Sequence, residues 1–165
     1  MKISTFLILL CITNLMYVLP LRALRAQNAF NSADFYSVMA SKSLSRVDSQ
    51  LNILKAAAPK GKEAYEGALL MKRAGLVSNP KNKLNLFKSG RRKLDDAVAQ
   101  DSLNAEFRFI RLMIQENTPK ILRYNKELEA DSRIVGRLYK NLAPPVQKVV
   151  KEYSRTSDVL KPELF

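Results

Sequence analysis

The amino-acid sequence predicts an all-α fold, with about seven helices stacked as antiparallel hairpins. Three observations carry that expectation. Apolar residues recur at spacings of three and four along most of the chain, while the period-two alternation of a half-buried strand is scarce. Only five glycines interrupt 165 residues. Prolines and capping side chains fall between the periodic segments, as they do at helix ends.

Taken in order, Ser32 is placed to cap a first helix over 33–41, with Phe35, Val38 and Met39 on its apolar face. A second over 44–57 places Val47, Leu51 and Leu54 at helical spacing and stops before Pro59. The third, over 62–75, mixes the small residues Ala64, Gly67, Ala68 and Ala74 with Tyr65, Leu69, Leu70 and Met71, a pattern that lets helices approach closely; Gly75 suits its C-terminal cap. Pro80 opens a fourth over 80–99, with Leu84, Phe87, Leu94, Ala97 and Val98 on one side and Lys81, Lys88 and Arg92 on the other. Arg91 with Asp95, and Arg92 with Asp96, are i,i+4 pairs worth about 0.2–0.5 kcal/mol each. Ser102 or Asn104 caps a fifth helix over 104–116. Thr118 and Pro119 have the form of an N-cap and first residue for a sixth over 119–140, with a break expected near Ala130–Ser132, where apolar residues thin out. After Pro144 and Pro145, a last helix over 145–156 turns Val146, Val149, Val150 and Tyr153 inward. The tail from about 157 reads as irregular, with Leu160 or Phe165 tucked back.

The first 26 residues stand apart. Lys2 precedes an apolar run from Ile3 to Leu19, Pro20 breaks it, and Ala26 offers a small residue before Gln27. That is the layout of a secretory signal peptide cleaved after Ala26. Leu24, Arg22 and Arg25 depart from the ideal cleavage region, and an uncleaved membrane anchor is the alternative; polar Thr5, Thr13 and Asn14 count against the anchor. Cys11 follows Leu10, not the small residue a lipidation site needs. The expectation is an exported chain, periplasmic or secreted, whose residues 27–165 form one all-helical domain. Removing Lys2, Arg22 and Arg25 from 28 basic residues leaves 25 against 15 acidic ones, an excess of ten positive charges. Such an excess favours anionic partners or serves solubility alone.

The missing residue types narrow the chemistry. There is no histidine, and the single cysteine, Cys11, lies in the leader. Zinc sites built on Cys or His, Ser-His-Asp triads, cysteine nucleophiles and stabilising disulfides are therefore excluded from the mature chain. No Gly-rich phosphate loop is present; "APKGKEAYEG" lacks its spacing. No metal and no cofactor are expected. A carboxylate pair is the one catalytic constellation left open, with Glu63, Glu66, Glu127, Glu129 and Asp131 as candidates on charged helical surfaces.

Residues 90–104, "GRRKLDDAVAQDSLN", resemble the second helix and exit turn of a tetratricopeptide-type hairpin. Gly90 takes the small position, Leu94 the large apolar one and Ala97 the alanine; Asp101 and Asn104 match the turn, and Ser102 stands where proline is usual. Residues 62–75 would be the preceding helix, with Gly67 and Ala68 at its small packing position. The resemblance covers 62–104, the "GLVSNPK" connection is longer than the family's turn, and no 34-residue period runs along the chain. It implies stacked hairpins and a concave groove that binds a peptide or protein without catalytic residues. The whole chain also resembles small exported bacterial helical proteins with no assigned activity.

Helix 104–116 poses the sharpest question. Phe107, Phe109, Ile110, Leu112, Met113 and Ile114 cover more than half its circumference, which leaves Arg108, Arg111 and Gln115 on one narrow strip. The arginines either pair with Glu66, Glu116 or Asp96, or line a groove where they receive a carboxylate, sulfate or phosphate. Phe107 and Phe109 face away from the strip, so the interleaved aromatics of a nucleic-acid surface are missing.

The function expected is an exported, non-catalytic interaction module that binds a protein, peptide or other anionic partner in the cell envelope. A groove between helices 62–75 and 104–116 is the expected site, with Arg108, Arg111 and Gln115 exposed inside it. The rival is a carboxylate-dependent enzyme acting on an envelope glycan or polymer, which needs two acids roughly 5–10 Å apart across a cleft. A third reading is adhesion to anionic surfaces through Lys81, Lys88 and Arg92. Membrane contact is expected only through an uncleaved leader or that basic surface.

Overall fold

The computed structural model describes residues 30–165; the expected leader lies outside the described residues. Among the described residues the chain is all-helical, with seven α-helices and no strand: α1 (Ser32–Ala40), α2 (Leu44–Ala57), α3 (Lys62–Leu76), α4 (Pro80–Gln100), α5 (Ala105–Glu116), α6 (Leu128–Leu138) and α7 (Pro144–Tyr153). Three short 3₁₀ turns, Lys120–Leu122, Tyr139–Asn141 and Pro162–Leu164, complete the backbone.

The α3–α4 hairpin is the centre of the structure. A Cβ added to Gly67 would lie 2.6 Å from the Gly90 carbonyl oxygen and 2.8 Å from the Leu94 amide nitrogen; one added to Gly90 would lie 2.5 Å from the Gly67 carbonyl oxygen and 2.8 Å from Met71. Residue 67 thus meets 94 while 71 meets 90, so the helices run antiparallel with their backbones in contact. Leu94, Ala97, Ala64, Ala68 and Leu69 are buried around this crossing. α3 also packs on α2 and α5, so it has neighbours on most sides. Gly61, at φ +73°, begins α3 directly against the Phe107 ring, where a side chain would collide.

A chain of aromatic rings joins α1, α3, α5 and α7. Phe35 meets Tyr36 and Tyr65 edge-on, Tyr65 meets Phe107, Tyr36 meets Phe109, and Phe109 meets Tyr153, with centroids 5.0–6.1 Å apart. Edge-to-face pairs of this kind contribute about 0.5–1.5 kcal/mol beyond area burial.

Four local expectations are corrected. Asn31, not Ser32, caps α1, its side chain accepting from the Ala33 amide. Gly75 is not a cap: α3 continues to Leu76 with Val77 as its C-cap. Leu84, expected inside, is 42% exposed, because it lines an open hollow beside Leu76 and Phe87. The helix expected over 119–140 is not continuous, and its break lies earlier than Ala130–Ser132. Pro119 leads only a 3₁₀ turn, Arg123 turns left-handed at φ +48°, and α6 begins at Leu128. The turn brings Tyr124 inward, where its hydroxyl donates to Asp95 at 2.7 Å and its ring meets Phe87 edge-on. Ala130–Ser132 lie inside α6, with Asp131 and Ser132 buried. The tail folds back as expected: Leu160 is fully buried and Phe165 stacks on Tyr139 at 4.5 Å.

Candidate functional site

The arginine strip of α5 is closed, not open. α6 lies over it and brings Asp131, which has no exposure to solvent, between the two guanidiniums. Arg111 donates from Nε and Nη2 to the two Asp131 oxygens at 2.7 Å each, and Arg108 donates from Nη1 to Oδ1 at 2.8 Å. Arg108 also donates from Nε to the Ser102 carbonyl at 2.9 Å. Asp95 on α4 lies 3.7 Å from Arg111 and accepts from Tyr124, while Arg91 stacks over the Tyr124 ring and reaches Asp95 at 3.4 Å. The result is a network in which three arginines, Arg91, Arg108 and Arg111, meet two carboxylates across α4, α5 and α6.

The expectation of Arg108, Arg111 and Gln115 exposed in a groove is therefore corrected for Arg111 and Gln115, both buried; Arg108 keeps a partly exposed edge. The physical reason is that an arginine on a helix buried on its other faces can be covered only when a carboxylate comes with the covering element. That carboxylate is Asp131, and not the expected Glu66, Glu116 or Asp96. Glu66 joins Glu63 around Lys93, and Glu116 caps the tail, accepting from the Ser157 hydroxyl and the Asp158 amide. The Arg91–Asp95 pair forms; no Arg92–Asp96 pair is found within 4 Å.

A groove between α3 and α5 does exist, at their C-terminal ends and with other residues in it. One cavity of about 570 Å³ lies between α3, α4, the end of α5 and the following turn, with Met71, Leu76, Leu84, Phe87, Ile114 and Leu122 among its walls. A second of about 480 Å³ lies between α1, α3, α5 and α7, with Met39, Met113, Val149 and Tyr153 among its walls. The two cavities adjoin, with Lys72, Ile114 and Asn117 lining both, and are two lobes of one candidate groove. All three methionines among the described residues, Met39, Met71 and Met113, line it. Methionine is flexible and polarizable, and suits surfaces that adapt to a bound chain. Ile121, 88% exposed, sits in the same 3₁₀ turn as Leu122 and adds apolar surface beside the first lobe.

Lys72 is the charged group at the junction. Burial, and then the neighbouring charge of Lys42, lower its pKa from the usual lysine value. An anion beside it would favour the charged form and offset the shift. Lys83 lines the first lobe and Glu152 the second.

No protein-family model, curated protein or solved structure matches this chain. The site is thus read from its own geometry.

Lys81, Lys88 and Arg92 are exposed and make no ion pair within 4 Å among the described residues. Of the carboxylate candidates, Glu63 and Glu66 flank Lys93, Glu127 and Glu129 are exposed, and Asp131 is buried between arginines. Among the described residues no cluster of three metal-ligating side chains occurs, and no helix is long and apolar enough to cross a membrane. Glu106 is the acid that sequence reasoning missed. It accepts from the Tyr36 hydroxyl at 3.2 Å, and burial holds its carboxyl above the usual range against the hydrogen-bonding pull of Tyr65 and Tyr36. The signal was its place one turn into an apolar helix, in line with Phe109 and Ile110, which are wholly buried.

Proposed function

We propose that this chain is an exported, non-catalytic interaction module that takes an acidic, amphipathic segment of a protein partner into the two-lobed groove. The observation that carries the reading is the groove itself: about 570 and 480 Å³ of largely apolar space, meeting at Lys72 and lined by every methionine of the described chain. Apolar walls match the apolar face of a helical or extended segment, and Lys72 and Lys83 match carboxylates beside that face. The excess of ten positive charges in residues 27–165 draws the same class of partner over longer range. Neither lobe contains more than one carboxylate, so the groove offers no acid pair for glycan hydrolysis.

The test is affinity capture from the cell envelope by the full chain, with wild type beside Leu84→Glu and Lys72→Glu. Leu84 is exposed and Lys72 is half-buried at the junction, so both variants should fold. A partner held by wild type and lost from both variants supports the reading. Equal recovery by all three would place binding elsewhere and overturn it.

A further inference from the structure

At the other end of α5 lies a separate depression of about 410 Å³, lined by Arg108, Arg133 and Arg137, with Ala130 and Ile134 as its apolar part. Its charges differ from those of the buried network. Asp131 faces Arg108 and Arg111, and Asp95 faces Arg111 and Arg91, two carboxylates for three guanidiniums. Arg133 and Arg137 then add two positive charges with no ion pair within 4 Å among the described residues. The acid at helical spacing from Arg133, Glu129, is exposed and does not reach it. Arg133 and Arg137 are one helical turn apart on α6 and so project from the same face. Arg108 comes from α5 opposite, and its guanidinium is held in place by Ser102 and Asp131 while Nη2 makes no hydrogen bond within the described chain. Arg133 and Arg137 leave two unpaired charges at a hollow that Arg108, itself paired with Asp131, also lines; an oxyanion there offsets those two charges and suits planar guanidinium forks.

We propose that Arg108, Arg133 and Arg137 form an anion site for a phosphate or sulfate monoester. The three guanidiniums hold the oxyanion, and the carbon skeleton of the ester lies on Ala130 and Ile134. Arg133 and Arg137 supply the charge, and Arg108 is the pre-positioned donor. The same head group occurs on soluble sugar or glycerol esters and on a lipid with a phosphomonoester head, so the test has an arm for each.

The full chain is titrated by calorimetry with inorganic phosphate, glycerol 3-phosphate and glucose 6-sulfate. Its sedimentation with phosphatidic acid vesicles is compared with that of phosphatidylcholine vesicles. Each measurement is repeated on Arg133→Gln/Arg137→Gln and on Lys55→Gln/Lys60→Gln, which removes the same charge from exposed positions at the end of α2. All four positions are exposed, so both variants should fold. The expected result is saturable binding of at least one ester, weakened tenfold or more by the arginine changes and less than twofold by the lysine changes. Binding to soluble esters identifies a soluble source; arginine-dependent binding only to phosphatidic acid vesicles identifies a lipid head group. Equal weakening by both variants would show diffuse charge attraction, and absence of saturable binding in both arms would show no site. Either result overturns the proposal.

Discussion

Asp131→Asn is the most exacting perturbation of the buried network. The carboxylate has no solvent exposure and accepts three hydrogen bonds from two guanidiniums, at 2.7, 2.7 and 2.8 Å. Asparagine keeps the shape, removes the charge and turns an amide donor towards groups that can only donate. Removing one partner of a buried ion pair costs about 3–5 kcal/mol, because the other charge stays buried. Arg108 can relax towards solvent and keeps Ser102, so Arg111 bears most of the cost, and Asp95 at 3.7 Å offsets part of it. The expected loss is about 3 kcal/mol, which for a chain of this size lowers Tm by roughly 6–12 °C. Urea unfolding followed by far-ultraviolet circular dichroism measures it. The double change Asp131→Leu/Arg111→Met should recover most of the loss, since buried pairs are often replaceable by apolar residues of similar volume. A loss below about 1 kcal/mol for Asp131→Asn, or single-change costs that simply add in the double variant, would refute the reasoning.

Other consequences follow from the packing and the charges. Gly90→Ala should destabilise by about 1–2 kcal/mol in the same assay although alanine is the better helix former, because its Cβ meets the α3 backbone. Gly75→Ala, with nothing within 4 Å of the added carbon, should instead stabilise by up to about 1 kcal/mol. For Glu106 the raised folded-state pKa means that its contribution to stability is complete below the ordinary carboxylate range and lost as pH rises through the folded value. Glu106→Gln should therefore gain stability over wild type between pH 4 and pH 7; a difference that stays flat or shrinks with pH would count against that burial effect. Tyr124→Phe removes the donor to Asp95 and should cost about 1–2 kcal/mol, with Arg123 losing its fixed left-handed turn in amide exchange.

How much of this was legible in the sequence depended on whether the deciding contact was local. Caps such as Asn79 and Asn104 act within three residues, and the corresponding helix starts were readable. Gly67 and Gly90 were readable as close-packing positions because small residues at helical spacing have few other uses; the structure places them against each other. The segment 117–127 was not, because the interaction that ends regular helix there, Tyr124 with Asp95, spans 29 residues. The arginine strip was located correctly on α5 and given the wrong surroundings for the same reason. Helical periodicity shows which side of a helix is polar, but it does not show that Asp131, 20 residues on, returns to cover that side. A groove was expected between helices 62–75 and 104–116, lined by the arginine strip; the hollow found there lies at their C-terminal ends and has other residues in its walls. Its lining is methionine and isoleucine, which periodicity assigns to the core, and only the arrangement of five helices leaves them facing a hollow.

Methyl NMR on the full chain tests the central claim most directly, because Met39, Met71 and Met113 are the methionines of the described residues and all three line the groove. On titration with a captured partner, or with a synthetic acidic amphipathic peptide derived from it, all three methyl resonances should shift together and saturate, and Lys72→Glu should abolish the shifts. Binding that leaves these three resonances unmoved would contradict the account.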